Sequence, residues 1–289
     1  MEKLLHWSIA NAQGDKDAAE RAGQPDPKML QQLFGGGPDE PTLMKEAMAV
    51  ITNQDAELDD RLTAFDNFEM LIESLDNANN IENLKLWIPL ISMLKDKEAD
   101  LRAFALSVIG TAVQNNSDAQ QNFLRYDGGL SQIISLANDS EEKLQVRVKA
   151  FYALSNLIRH DRSGYEKFAQ LGGLDIISPT LTDPDAKEKL HLRVLGLLTS
   201  ILTAADVNDE FLELLRKENI IRSALGFLTK KGDLYVIDRV LNFLSQLISA
   251  GFKFNDREIV NLKSGFESIE PLKDQLNEED YQIVKHVLS

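Results

Sequence analysis

From Thr42 onward, apolar side chains recur at intervals of three and four residues, which places them on one face of an α-helix. Short polar segments interrupt the periodic stretches, so the chain is predicted to form one helix after another. The longest stretches are RLTAFDNFEML from residue 61, LRAFALSVIGTAV from 101, VRVKAFYALSNLI over 146–158, LHLRVLGLLTSIL from 190 and VIDRVLNFLSQLI from 236. This pattern predicts an all-α protein.

Polar residues that suit helix N-caps return at a regular distance along the chain. In LDNANNIENLKLW (residues 75–87), four asparagines interrupt the helical pattern, and asparagine is a poor interior residue but a good N-cap. Ser163 is followed three residues later by Glu166, the signature of a capping box. The predicted N-caps are Asn77, Asp118, Ser163, Asn208 and Asn255, which lie 41, 45, 45 and 47 residues apart. An interval in the forties is typical of armadillo or HEAT repeats.

Each predicted repeat has a short first helix that ends near Gly128-Gly129 or Gly172-Gly173, a short second helix (130–137 or 174–181) and a long third helix. In the third helix over 146–158, the small Ala150 and Ala153 allow close helix approach, and Leu154 and Leu157 fill the seam. Such repeats bury a continuous core only by stacking. We therefore predict an armadillo-like helical repeat solenoid over 42–289. Its parts are N-terminal cap helices over 42–76, repeats starting near residues 77, 118, 163 and 208, and a C-terminal cap over 255–289.

Residues 1–41 differ from the rest, since four of the eight prolines and five of the 16 glycines fall there. The GGG at 35–37 is typical of a linker. Two apolar clusters lie in this segment, one of Leu4, Leu5, Trp7 and Ile9 and the other of Met29, Leu30, Leu33 and Phe34. We predict a flexible N-terminal arm with short amphipathic segments, and an ordinary frayed terminus is the alternative.

The net charge of −15 argues against nucleic acid and anionic membranes as partners, because both carry negative charge. It suits a partner with a basic patch. No apolar run approaches the roughly 20 residues that a membrane span needs, and nothing at the start has the length of a signal peptide. We expect a cytoplasmic protein.

Residue chemistry gives no sign of catalysis. Cysteine is absent, and the four histidines (His6, His160, His191 and His286) lack metal-ligand spacing. The GGG has no following Lys-Ser/Thr, so it is not a P-loop, and no Gly-x-Ser-x-Gly elbow occurs. We predict no enzyme activity, no metal site and no cofactor.

The third helices of an armadillo stack line its groove, where Lys149, Tyr152 and Asn156 form one stripe at spacings of three and four. Armadillo proteins that grip extended peptides need Trp and Asn repeating at the Tyr152 and Asn156 positions. The matching pairs in this chain are Ser107/Thr111, Gly196/Ser200 and Asn242/Gln246. Extended-peptide capture is therefore disfavoured.

A column of cations does recur, because Lys149, Arg193 and Arg239 occupy equivalent positions 44 and 46 residues apart. Three cations in register on an acidic chain suggest contacts to carboxylates of a folded partner, which the planar guanidinium can bind bidentately. The alternative is that these cations pair with Asp or Glu inside the stack.

Two motifs resemble the armadillo repeat, namely Ala153-Leu154-Ser155-Asn156-Leu157 and Gly172-Gly173-Leu174. Along the whole chain, MEKLLHWSIANAQGD, GQPDPKMLQQLFGGG, FDNFEMLIESLDNANNIENLKLW and NLIR resemble the armadillo-type nucleotide exchange factors of heat-shock protein 70, in particular the fungal cytosolic branch. This resemblance implies a protein that binds the chaperone's ATPase domain, speeds ADP release and so promotes client release. We expect it to be monomeric when free.

The resemblance also implies partner contacts near Ala78 and at Arg193. We interpret the small Ala78 as permitting close approach of a partner, since nothing else in the pattern explains its identity. Its neighbours Asn79, Asn80 and Asn83 supply amide donors and acceptors. The groove register adds Lys149, Asn156 and Arg239 to the predicted partner site.

In the arm, the resemblance suggests that the cluster of Leu4, Leu5, Trp7 and Ile9 helps to expel clients from the chaperone. Two rivals to an exchange factor remain open. One is a general armadillo adaptor with a different folded partner, and the other is a receptor that uses acidic charge to carry basic cargo.

Overall fold

The computed structural model describes residues 38–288. The predicted arm residues Leu4, Leu5, Trp7 and Ile9 lie outside this range. The chain divides into two compact units, residues 1–46 and residues 47–289. The first described helix begins at Glu40, and the predicted boundary after residue 41 stays a prediction.

All regular structure within residues 38–288 is helical, as predicted. The α-helices are α1 (Glu40–Thr52), α2 (Leu58–Ile72), α3 (Leu75–Asn83), α4 (Trp87–Ser92), α5 (Ala99–Ala112), α6 (Ser117–Leu124), α7 (Gly129–Asn138), α8 (Leu144–Ile158), α9 (Arg162–Gln170), α10 (Ile177–Thr182), α11 (Glu188–Leu202), α12 (Asp209–Lys217), α13 (Ile220–Leu225), α14 (Leu234–Ser249), α15 (Asp256–Ile269) and α16 (Glu278–His286). Three 3-10 helices cover Met93–Lys95, Gly173–Ile176 and Glu270–Gln275. No helix in this part of the chain is long and apolar enough to cross a bilayer.

The long helices α2, α5, α8, α11 and α14 pack side by side in chain order, and α16 packs on α14. In α8, Ala150, Ala153, Leu154 and Leu157 are all fully buried, as the sequence predicted. Each long helix contributes apolar side chains to both neighbours, so the core runs continuously along the stack. The sides of the long helices that do not pack into the core therefore lie next to one another along the stack.

Two of the predicted N-caps are confirmed. The Asn208 side chain accepts a hydrogen bond from the backbone N–H of Phe211 (2.9 Å). Asn255 and Glu258 form a capping box, because the side chain of each accepts from the backbone N–H of the other at 2.9 Å.

The predicted N-caps at Asp118 and Ser163 are wrong by two residues. Asn116 caps α6 and Asp161 caps α9, each accepting from the backbone N–H three residues later (3.2 and 2.9 Å). The capping side chains belong to residues that are only 5% and 7% exposed, whereas Asp118 and Ser163 are exposed. Several consecutive residues could cap these helices, and the packing of the chain selects the one that lies at the buried turn.

The predicted N-cap at Asn77 is also wrong, because α3 begins at Leu75 and its N-cap position is Ser74. Asn77 is 3% exposed, and its amide donates to the carbonyl of Leu71 at 2.9 Å. It therefore adds a side-chain donor to a carbonyl of the last turn of α2, which also accepts the backbone N–H of Ser74 at 3.4 Å.

The turns between first and second helices use a left-handed residue in every repeat. Gly128 (φ 83°) and Gly172 (φ 75°) fill this position in two repeats. The repeats without a glycine pair place Lys85 (φ 58°) and Asn219 (φ 57°) there. The turn geometry thus persists where the sequence motif is lost, although a lysine in this conformation costs more than a glycine.

Candidate partner-binding site on the third helices

Lys149 and Tyr152 lie one turn apart on α8, and both are half-buried. The Lys149 ammonium donates to the hydroxyl of Ser107 on α5 at 2.8 Å. The Tyr152 hydroxyl donates to the side-chain carbonyl of Gln114 at 3.3 Å. Both side chains therefore reach across to the preceding long helix.

A half-buried carboxylate anchors this part of the surface. One oxygen of Glu69, on α2, accepts hydrogen bonds from the hydroxyls of Ser107 (2.6 Å) and Thr111 (3.1 Å). Because Ser107 also accepts from Lys149, the positive charge of Lys149 is linked to Glu69 through one hydroxyl. Glu69 was not among the predicted site residues, because nothing in its local sequence pattern shows which helix packs beside α2.

Arg193 lies across the next helix boundary, on α11. Its guanidinium carbon is 5.1 Å from the centroid of the Tyr152 ring, and the Lys149 nitrogen is 5.6 Å from the same centroid. Both distances fall in the range of cation–π contacts. One tyrosine ring therefore lies near two of the three cations of the predicted column.

Between residues 38 and 288, none of Lys149, Arg193 and Arg239 forms a direct ion pair inside the stack. The link of Lys149 to Glu69 through Ser107 supports the alternative of pairing inside the stack for Lys149 only. Arg193 and Arg239 are exposed. They border an open cavity of about 770 Å³ between α11, α14 and the start of α16. Its charged and aromatic lining consists of Lys189, Arg193, Tyr235, Asp238, Arg239 and Asp280. The cavity therefore presents both positively and negatively charged side chains to a partner.

The acidic end of this cavity is held rigidly. Asp280 accepts from the Asn242 amide at 3.1 Å and from the hydroxyl of Ser245. The Asn277 backbone N–H donates to Asp238 at 2.8 Å. These carboxylates therefore have hydrogen-bond donors within the chain, whereas Arg193 and Arg239 form no ion pair within residues 38–288.

Asn156 is less accessible to a partner than its position in the stripe predicts. It is only 7% exposed, and its amide nitrogen is buried without a hydrogen-bond partner. Its backbone carbonyl accepts from the Gln120 side chain at 2.7 Å. A direct contact between its side chain and a partner would require this region to open.

The second predicted contact region is α3. Ala78 is 3% exposed, so its small size has a packing reason, and the interpretation that a partner alone explains it is wrong. Asn83 is exposed and donates to the side-chain oxygen of Asn80 at 3.0 Å. Asn79 is half-buried, and its side-chain oxygen is buried without a partner. Asn80 and Asn83 are thus the members of this group that present amides to solvent.

His191 precedes Arg193 by two residues on α11. Burial lowers the pKa of His191 below its ordinary value, against an opposing effect of the nearby carboxylates of Asp183 and Glu188. Its ring contacts Phe227 edge-on, with the ring centroids 4.7 Å apart. At neutral pH this imidazole is uncharged and adds no charge to the cation column. No cluster of metal-ligating side chains occurs among residues 38–288.

Two family models match the chain. The first, described as nucleotide exchange factor Fes1, matches residues 1–81. The second, described as the SIL1/FES1/HPBP1 C-terminal domain, matches residues 77–218.

Similar proteins include those named Hsp70 nucleotide exchange factor FES1 in three yeasts. The Kluyveromyces lactis protein is 63% identical, over 99% of this chain and 99% of its own length. The Saccharomyces cerevisiae protein is 59% identical over the whole of both chains. The Yarrowia lipolytica protein is 36% identical, over 97% of this chain and 95% of its own.

Similar solved structures include designed armadillo repeat proteins. A designed armadillo repeat protein in complex with a (KR)4 peptide matches with a TM-score of 0.65 at 18% identity, covering 87% of this chain and all of its own. An engineered protein matches with a TM-score of 0.68 at 16% identity, covering 87% and 98%. At such identity the likeness concerns the fold, and it confirms the predicted armadillo-like solenoid. Together with the matches along nearly the whole sequence, it shows that the chain belongs to the FES1 family of Hsp70 nucleotide exchange factors.

Proposed function

We propose that this chain binds the ATPase domain of Hsp70, accelerates ADP release and promotes client release during protein folding. Family membership indicates the activity, since the relatives carry the name Hsp70 nucleotide exchange factor. The structural observation that supports it most is the column of Lys149, Arg193 and Arg239, whose two exposed arginines form no ion pair within the described residues. On a chain of net charge −15, such cations are available for carboxylates of a folded partner.

The proposed mechanism involves no covalent chemistry, and the chain is not an enzyme. Binding favours a chaperone conformation with an opened nucleotide cleft over the closed, ADP-bound conformation. The equilibrium shifts by no more than the difference in affinity for the two conformations, about 1.4 kcal/mol for each factor of ten. A rigid stack suits this role because its surface does not adapt to both conformations equally.

The residues proposed to contact the partner fall into two groups. Arg193 and Arg239, with Lys149 beside them, bind carboxylates, while Asn80 and Asn83 on α3 supply amides. Truncating an arginine that becomes desolvated in such an interface typically costs about 2–5 kcal/mol of binding free energy. Ala78 and Asn156 support the site from below, since they are buried, and Asn79 is half-buried beside Ala78 on α3.

We further propose that the free chain is a cytoplasmic monomer whose partner surface takes neither nucleic acid nor membrane. The arm cluster of Leu4, Leu5, Trp7 and Ile9 would act separately, by competing for the client-binding site of the chaperone as an apolar peptide does. The two activities are then carried by different parts of the chain.

Stopped-flow release of fluorescently labelled ADP from the Hsp70 ATPase domain tests the main proposal. We expect the wild type to accelerate release clearly. The double variant Arg193→Ala/Arg239→Ala should lose the acceleration at least tenfold at subsaturating concentration, with helical content unchanged by circular dichroism. The matched control is Arg162→Ala, because Arg162 is an exposed arginine on α9 that is paired with Glu166 and Asp206 and should have no effect.

A wild type without acceleration would contradict the exchange function. Equal losses in the control and the double variant would show that overall charge, and not this surface, determines the rate. Salt-sensitive binding of a basic peptide in place of the ATPase domain would favour the cargo-receptor alternative.

A further inference from the structure

We infer that Tyr152 is a positioning residue, whose ring holds the Arg193 guanidinium in place, and that Gly110 is the residue that gives the ring its room. The role in exchange rests on the proposed function, whereas the contact itself belongs to the free chain. The observation behind it is the 5.1 Å distance between the Arg193 guanidinium carbon and the Tyr152 ring centroid.

Gly110 lies in the interior of α5, where glycine is less favourable than alanine by about 1 kcal/mol and so calls for a reason. A Cβ atom at this position would lie 2.5 Å from Cε1 and 2.6 Å from Cδ1 of the Tyr152 ring, and 3.3 Å from the Ala153 Cα atom. Real side chains do not approach so closely. The absence of a side chain at Gly110 therefore allows the ring to lie against α5.

The ring is fixed at its other end as well. Its hydroxyl donates to Gln114 at 3.3 Å and is 3.5 Å from the hydroxyl of Thr111. Lys149, one turn earlier on the same helix, is held by Ser107. These contacts restrict the movement of the Tyr152 ring, so it stays next to the Arg193 guanidinium.

Arg239 provides an internal comparison. The residue on α11 that corresponds to Tyr152 is Gly196, and a Cβ atom there would meet no other atom within 4 Å. No cation–π contact of Arg239 occurs within the described residues. Of these two exposed arginines, Arg193 alone has an aromatic ring to hold its guanidinium within the described residues. An ordered guanidinium loses less side-chain entropy on binding, so it contributes more of its interaction to affinity.

The contact is tested first on the free chain by NMR. In a sample with labelled arginine, the Arg193 side-chain resonances, identified by their loss in Arg193→Ala, should be shifted upfield by the Tyr152 ring current. The shift should disappear in Tyr152→Leu and Gly110→Ala and remain in Tyr152→Phe. An Arg193 signal at the random-coil position in the wild type overturns the inference, whatever the chain does to Hsp70.

The second test is a double-mutant cycle on ADP release by the full chain, with rates corrected for the folded fraction. Tyr152→Leu should slow exchange about two- to fivefold at subsaturating concentration, the size expected for an exposed cation–π contact. It should have no further effect in the Arg193→Ala background and its full effect in the Arg239→Ala background. Tyr152→Phe, which keeps the ring, should match the wild type within about 1.5-fold.

If Tyr152→Leu fails to fold, Gly110→Ala takes its place, since the added methyl group displaces the ring while leaving Tyr152 intact. Equal effects of Tyr152→Leu with and without Arg193 would overturn the positioning role, as would a loss in Tyr152→Phe equal to that in Tyr152→Leu. An absence of exchange by the wild type contradicts the proposed function instead, and the NMR shift then decides the contact separately.

Discussion

At the scale of single residues, the polar and small side chains of α3 divide by burial. Ala78 and Asn77 are each 3% exposed, while Asn83 lies at the surface. The spacing of these residues on a nine-residue helix does not predict which of them are buried, because α3 packs against α2, α5 and α6 at once. A partner therefore reaches the amides of Asn80 and Asn83 more readily than the methyl group of Ala78.

Substituting Ala78 by arginine tests this placement. Ala78→Arg should lower the free energy of unfolding by about 3 kcal/mol or more, because it brings a large charged group into a packed site without a partner. Urea unfolding followed by far-ultraviolet circular dichroism measures the change. Asn80→Arg, two residues along and half-exposed, is the matched control and should shift the unfolding midpoint only slightly. A native midpoint for Ala78→Arg together with lost exchange would instead show that residue 78 contacts the partner directly.

At the scale of helices, buried arginines near the starts of long helices join elements that are distant in sequence. The Arg61 Nε atom donates to the Ile51 carbonyl at 2.8 Å, and its Nη2 atom lies 2.7 Å from an Asp96 carboxylate oxygen. Arg147 repeats this arrangement with the Ala137 carbonyl at 3.2 Å and Asp183 at 3.7 Å. Arg61 and Arg147 thus connect α2 and α8 to the end of the preceding helix and to the next repeat. No sequence spacing identified them, because their partners are set by how the repeats stack.

The Arg61 contact gives a prediction about stability. Arg61→Ala should lower the free energy of unfolding by about 3–5 kcal/mol, because it leaves the Asp96 carboxylate largely buried without its partner. The side chains of this pair are only 5% and 10% exposed. The measurement is urea unfolding by circular dichroism. Arg162→Ala removes an arginine whose side chain is 64% exposed and should leave the midpoint unchanged. A small effect of Arg61→Ala would mean that water replaces the ion pair at low cost.

At the scale of the whole molecule, the activities proposed for the array and for the N-terminal arm are separable along the chain. The cation column and the α3 amides fall within residues 47–288, and the apolar arm cluster begins at Leu4. In the function proposed above, exchange depends on the first group and client release on the second. Removing one group should therefore leave the other activity in place.

Deleting residues 1–36 is the direct test of this separation. The deletion should leave ADP release within about twofold of wild type, since all proposed contacts to the ATPase domain remain. It should slow dissociation of a fluorescent client peptide from full-length Hsp70, measured in the presence of ATP. The full-length variant with serine at Leu4, Leu5, Trp7 and Ile9 controls for the loss of chain length and should behave like the deletion. An unchanged client dissociation rate would refute the role proposed for the arm.

The sequence by itself determined the helical class, the repeat length and the spacing of the cation column. These follow from local periodicity, because apolar residues at three- and four-residue intervals require one buried helix face, and each such helix needs a neighbour. The caps at Asn208 and Asn255 were also predictable, since each is followed by acidic residues at a clear helix start.

The tertiary structure alone decided which of several capping residues is used, that Ala78 and Asn156 are buried, and that Tyr152 meets both Gly110 and Arg193. Each of these depends on contacts between residues about 40 positions apart, on neighbouring repeats. Local propensity specifies a helix but not its rotation against the next one, and that rotation determines which side chains are buried and which remain free for a partner.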